Sequence, residues 1–161
     1  FNHPKELEPP VVKEAIDKLR GVGAVIRTQS PLLRFINNSA ETWTTMWEKQ
    51  VQLNCIPYYM FLPRDTGAQH YFAETLESAH KLYTEAIRNC SGLASTAKGP
   101  VMSMTHGKVE ILGVKDDVYT LRYVKHRDNS KTFKTFLAES TTPNPMWIDD
   151  LVEIKAEVPN Y

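Results

Sequence analysis

The stretch "SGLASTAKGPVMSMTHGK", Ser91 to Lys108, begins as a helix ends and closes on Gly107-Lys108, with nothing between that reads as a regular element. Sixteen positions, Gly92 to Lys108, thus serve to carry one amine on a flexible stem to one place. Arg64 and Asp65, in "LPRD", follow an apolar run and can either recognise a ligand's charged groups or form an exposed ion pair. His3, Gln29 and Ser30 stand where short strands end, Tyr58 and Tyr59 read as wall or core residues of a buried strand, and His70 lies in the loop after it. Cys55 and Cys90 are 35 positions apart with no CxxC spacing, so no metal or redox pair is expected and both read as reduced thiols.

These residues must be positioned by a chain of 161 residues, 42% of them hydrophobic, enough for a real core in one domain or one domain with an appendage. Lys plus Arg and Asp plus Glu both number 19, which provides no basic field for nucleic acid or an anionic membrane. No apolar run approaches the roughly 20 residues of a membrane span, and "FNHPKELEPP" lacks the features of a signal peptide, so the expected location is the cytoplasm.

Pro9 and Pro10, then Val12, Ala15, Ile16 and Leu19, then Gly21 and Gly23, predict a helix from about 10 to 20. "AVIRTQ", 24 to 29, predicts a strand, and Ser39 caps a helix with Trp43, Met46, Trp47 and Val51 on one face. "CIPYYMFL", 55 to 62, is a second strand, and Leu76, Ala79, Leu82, Tyr83, Ala86 and Ile87 form a second amphipathic helix up to Cys90. Strand and helix recurring in this way are βα units of a parallel sheet, whose ligands gather at the strands' C-terminal ends. After Gly99, "KVEILGV", "VYTLRYV" and "KTFKTFLAE" predict a small antiparallel meander with turns at 115 to 117 and 127 to 130, and three prolines make the tail irregular. Phe1-Asn2-His3 reads as the end of a strand. Too few parallel strands follow to close a barrel, so the chain reads as the back half of something larger.

The ordered set Asn2, His3, Pro4, Glu6; Gln29, Ser30, Leu32, Leu33, Asn37; Pro57, Tyr58, Tyr59; Gly67, His70, Phe72 resembles the C-terminal half of the lysine 2,3-aminomutase family of radical S-adenosylmethionine enzymes, over about residues 1 to 112. The resemblance implies an α/β fold: the second half of a partial βα barrel over 1–100, with parallel strands and helices, then the lysine-bearing loop and a small antiparallel β-rich extension over 101–161. It implies an isomerase that moves an amino group from C2 to C3 of a small amino acid, using pyridoxal phosphate, S-adenosylmethionine and a [4Fe-4S] cluster. Lys108, preceded by Gly107, matches the lysine that joins pyridoxal phosphate; His3, Gln29, Ser30 and Tyr58 match or adjoin cofactor-binding positions. The cluster would be bound by residues outside this chain, since the family's CxxxCxxC triplet is absent, and the chain alone would be inactive. The two family aspartates that meet the substrate's distal ammonium fall at Arg64, or Asp65 with a shift of one, and at Val101, which favours a substrate other than L-lysine. A related radical enzyme with another substrate or without pyridoxal phosphate, and a non-catalytic binding module, remain as alternatives. An open sheet edge at Phe1 would permit a homo-oligomer.

Overall fold

The computed structural model describes residues 1–64 and 66–155. Its elements run α1 (Pro10–Gly21), β1 (Arg27–Pro31), α2 (Ala40–Gln52), β2 (Ile56–Phe61), the short α3 (Gln69–Phe72), α4 (Leu76–Asn89), β3 (Lys98–Met104), β4 (Gly107–Lys115), β5 (Val118–His126), β6 (Thr135–Ser140) and β7 (Leu151–Ile154). The seven strands form one mixed sheet in the order β1-β2-β3-β4-β5-β6-β7. β1, β2 and β3 are parallel; from β3 onward every pairing is antiparallel. The sheet therefore reverses its habit at β3, which pairs in parallel with β2 on one side and in antiparallel with β4 on the other.

Helix boundaries follow the local chemistry. The Ser39 hydroxyl accepts from the Thr42 N–H at 3.2 Å, and the Thr75 hydroxyl from the Ser78 N–H at 3.2 Å, satisfying amides that the first turn leaves without helical partners. Trp43, Met46 and Trp47 of α2 and Leu76, Ala79, Leu82 and Ala86 of α4 pack onto Met60, Met102, Val109, Ile111 and Leu121 of the sheet to form the main core. The opposite face of the sheet carries a smaller cluster, Tyr59, Val101 and Val124, with Tyr58 and Phe61 at its margin.

Several expectations are corrected. Phe1 to His3 is not a strand; it lies across the end of β1, where the Ser30 hydroxyl donates to the Phe1 carbonyl and the Asn37 amide donates to the Asn2 carbonyl at 2.9 Å. The edge of the sheet on that side is β1 itself. The stretch from Ser91 to Lys108 is not an unstructured loop: a short 3-10 turn, Gly92–Thr96, leads straight into β3, which runs through the expected boundary at residue 100. Gly99 and Pro100 lie near the start of β3, where proline is tolerated, and a Cβ on Gly99 would lie 2.9 Å from that of Met60. The proline-rich tail returns as β7, and the third meander segment is strand only from Thr135, because Asn129–Lys131 closes a turn.

Candidate functional site

Lys108 is delivered by a hairpin. Met104 pairs with Gly107 and Ser103 with Lys108 across a two-residue turn, Thr105-His106. Side chains alternate along β4, so Val109 enters the helix-covered core and Lys108 points to the other face. There its Nζ lies 4.7 Å from the centroid of the Tyr59 ring and 5.3 Å from that of Phe61. Tyr59 and Phe61 are two apart on β2 and so share that face; a cationic amine is attracted to such ring faces. Gly107 has a packing reason to be glycine: a Cβ there would run into the Lys125 carbonyl oxygen and stand 2.9 Å from His126 Cα.

A cleft of about 390 Å³ opens where the parallel strands end, lined among others by Gln29 and Ser30 of β1, Phe61 and Arg64 of and after β2, Ser103 of β3 and Lys108 of β4. Four residues singled out in the sequence, Gln29, Ser30, Arg64 and Lys108, thus meet in one place. The Arg64 guanidinium donates to the Ser103 carbonyl at 3.1 Å and to the Ser103 hydroxyl at 3.0 Å. A wider, shallower cleft of about 720 Å³ adjoins it and shares Ser103 and Lys108; Tyr58, Tyr59 and Gly107 line it, together with Lys98, Lys125 and Arg127. The Tyr58 and Tyr59 rings are 4.1 Å apart, and Arg27 stands 5.4 Å over Tyr58.

The remaining candidates lie elsewhere. His3 borders neither cleft: its Nδ1 accepts from the Lys5 N–H at 3.2 Å and caps the short turn Pro4–Leu7. His70 lines a separate depression with Trp147 and Asp150. Val101 is fully buried beside Tyr59. Asp65 lies outside the described residues. Sequence reasoning missed Phe61, Lys98, Lys125 and Arg127; only the pairing of β3, β4 and β5 brings them to Lys108, and the one available signal was the alternation along "HGKVEI".

Burial pushes the Tyr59 phenol up to about 12, and the neighbouring Tyr58 hydroxyl and the Glu110 charge push in the same direction. Tyr59 therefore stays a neutral phenol over the whole ordinary pH range. Glu110, two residues beyond Lys108, is nearly buried and pairs with Arg122 at 2.6 Å.

The fit to the implied groups differs from one to another. Amine, aromatic faces and a rim of three further cations suit a planar, phosphate-bearing aldehyde. The polar side chains of Gln29 and Ser30 at the end of β1 suit a hydroxylated or amino-acid moiety beside it. A four-iron cluster has no place here: among the described residues no three metal-binding side chains gather, and burial raises both the Cys55 and Cys90 thiols. No described helix is long and apolar enough to cross a membrane.

Fold and cleft together define an α/β protein with a cleft at the C-terminal ends of its parallel strands, the place where ligands gather in such sheets. Comparison with known proteins adds a family. The chain is 34% identical over 158 residues to a provisionally named L-lysine 2,3-aminomutase of Aquifex aeolicus, which covers 98% of this chain and 41% of that protein. It is 30% identical over 93 residues to the L-lysine 2,3-aminomutase of Escherichia coli and 31% identical over 79 residues to that of Haemophilus influenzae, spanning 27% and 23% of their lengths. No protein-family model matches the chain. The chain is thus a relative of the lysine 2,3-aminomutase family, and it spans less than half the length of the relatives it matches.

Proposed function

We propose that this chain is the second half of the partial βα barrel of a radical S-adenosylmethionine amino acid 2,3-aminomutase, and that Lys108 is its pyridoxal-phosphate lysine. The observation that supports this most directly is the position of the Lys108 amine, over Tyr59 and Phe61 at the ends of the parallel strands and beside Gln29, Ser30 and Arg64. When bound, pyridoxal phosphate supplies a carbonyl carbon for the amine and a conjugated ring that stabilises an adjacent unpaired electron.

The chain's own residues bind and orient. Lys98, Lys125 and Arg127 supply positive charge for a phosphate, each as a charge-assisted donor. Tyr59, Phe61 and Val101 form a dry floor under the amine, which keeps water from a reactive centre. Gln29 and Ser30 would hold the polar end of S-adenosylmethionine; Ser30 is already fixed by its bond to the Phe1 carbonyl. Arg64, tied to Ser103, faces the substrate's charged groups. Among the described residues none gather as ligands for an iron-sulfur cluster.

The test is covalent mapping on the intact protein. Reduction with borohydride in the presence of pyridoxal phosphate, followed by peptide mapping, should label Lys108, and Lys108→Ala should remove the label. Labelling at Lys98, which borders the same cleft, would overturn the assignment.

A further inference from the structure

Asn54, Asp116 and Asp117 hold a positive φ that short polar side chains tolerate, whereas Phe35 and Phe133, at 69° and 64°, hold one that bulky side chains rarely adopt. Phe35 rests its ring on Tyr71, 5.2 Å away. Phe133 is 66% exposed and instead lines the wide cleft that it shares with Lys108, Tyr58, Tyr59, Lys125 and Arg127. Hydrogen bonds hold its backbone in place: the Phe133 N–H donates to the Tyr123 carbonyl at 2.7 Å, the Tyr123 N–H to the Lys134 carbonyl at 3.0 Å, and the Thr132 N–H to the Asn129 carbonyl at 3.1 Å. Strain of this kind persists only where neighbouring bonds over-determine it, and it clusters at ligand sites. The same turn carries cations. Lys125 and Arg127 stand between Tyr123 and Phe133, and the Lys125 amine donates across the turn to the Asn129 side-chain oxygen at 2.9 Å. One connection, from β5 to β6, therefore presents both positive charge and an apolar ring to one cleft, the two features that a phosphate-bearing aromatic ring requires.

We infer that Phe133 is a cofactor-binding residue, whose ring packs on the pyridine ring of pyridoxal phosphate while Lys125 and Arg127 meet its phosphate. This rests on the proposed function, because it takes the Lys108 cleft to be where the cofactor binds. Tyr58 and Tyr59 supply one aromatic wall of that cleft from β2, and Phe133 supplies a second from the β5–β6 connection. The antiparallel extension thereby contributes a side chain to the site as well as a cover for the helical core.

The experiment uses the intact protein stripped of pyridoxal phosphate and reads binding and stability, not turnover. Pyridoxamine phosphate is the probe, since it has the ring and the phosphate but no aldehyde to join Lys108, and inorganic phosphate is the control for charge alone. Phe133→Gly should weaken pyridoxamine phosphate about three-fold or more in equilibrium dialysis, the size of one aromatic contact, and should leave inorganic phosphate unchanged. Phe133→Trp should keep the affinity of the wild type. Glycine adopts a positive φ without strain and the lost ring is mostly exposed, so the urea midpoint of Phe133→Gly should equal or exceed that of the wild type. A ring that served only packing would instead lower the midpoint and spare the probe. Unchanged affinity for pyridoxamine phosphate, an equal loss for inorganic phosphate, or a lowered midpoint each overturns the inference. Borohydride reduction of the wild type with pyridoxal phosphate separates the two levels. Labelled Lys108 with any of those three outcomes defeats this inference alone; unlabelled Lys108 defeats the proposed function and this inference with it.

Discussion

The Nζ of Lys108 and the ring of Tyr59 are stacked 4.7 Å apart, although 49 positions separate the two residues in sequence (108 minus 59). β3, which lies between their strands, brings them together, and the contact sets the direction in which the amine leaves the sheet.

Replacing the ring tests this contact directly. Tyr59→Leu should lose a cation–π interaction of about 0.5–2 kcal/mol, and the ε-methylene protons of Lys108 should move out of the ring-current field in an NMR spectrum. Tyr59→Phe should keep both. Unchanged Lys108 shifts in the leucine variant would show that the amine does not rest there.

Gly107→Ala should destabilise the fold by about 1–3 kcal/mol, because the new methyl group meets the Lys125 backbone and not a flexible side chain. Denaturant unfolding measures the cost, and exchange protection at the amides of β4 and β5 should fall before that of α2. A neutral effect would mean that the β4–β5 pairing at this point is looser than described.

The Glu110–Arg122 pair invites a double-mutant cycle. Arg122→Met strands a nearly buried carboxylate and should cost about 1–3 kcal/mol, whereas Glu110→Gln with Arg122→Met together should cost less than the single change. Additive losses in thermal or urea unfolding would show that the two side chains act independently.

Alkaline titration should expose two late phenols. Burial raises Tyr59 and Tyr83 to about 12 each, above the ordinary value of about 10 that they regain on unfolding. The native state therefore holds protons that the unfolded chain releases, so their contribution to stability is complete below pH about 10 and is lost as pH rises toward about 12. Phenolate absorbance should show Tyr59 and Tyr83 ionising last, after the exposed tyrosines and with burial delaying Tyr119 and Tyr123 as well, coincident with loss of the near-ultraviolet circular dichroism signal. Ionisation of all tyrosines in one step near pH 10 with the fold intact would contradict the burial.

Much of this was legible in advance, for physical reasons. "CIPYYMFL" and the face from Leu76 to Ile87 carry uninterrupted periods, and Ser39 is an N-cap by chemistry alone, so β2, α4 and the start of α2 fell where the pattern put them. β1 begins about three residues later than expected, since the Ala24 N–H is taken by the Leu19 carbonyl at the end of α1 and the ladder to β2 opens only at the Ile26 carbonyl, which accepts from the Ile56 N–H at 2.9 Å. β3 was invisible because "KGPVMSM" neither alternates cleanly nor avoids Gly and Pro; its pairing with β2 decides its state. Gln29, Ser30 and Arg64 converge because parallel strands end on one side of the sheet, and Lys108 joins them because the β3–β4 hairpin turns on that same side. His3 stands apart from the two clefts: a local hydrogen bond from the Lys5 amide makes its ring a cap, a competition that side-chain type alone does not reveal.

The mixed pairing of β3 also changes what the sixteen-residue interval means. An amine carried on a free loop would shift with every insertion or deletion upstream. Lys108 instead inherits its location from two hydrogen-bond ladders, β2 to β3 and β3 to β4, and from the parity of the positions between Val101 and Lys108. The connection from Cys90 to Ala97 can therefore lengthen or shorten in related chains while the amine stays at the same address. A slip of β4 by a single residue would exchange it for Val109 and send the charge into the core.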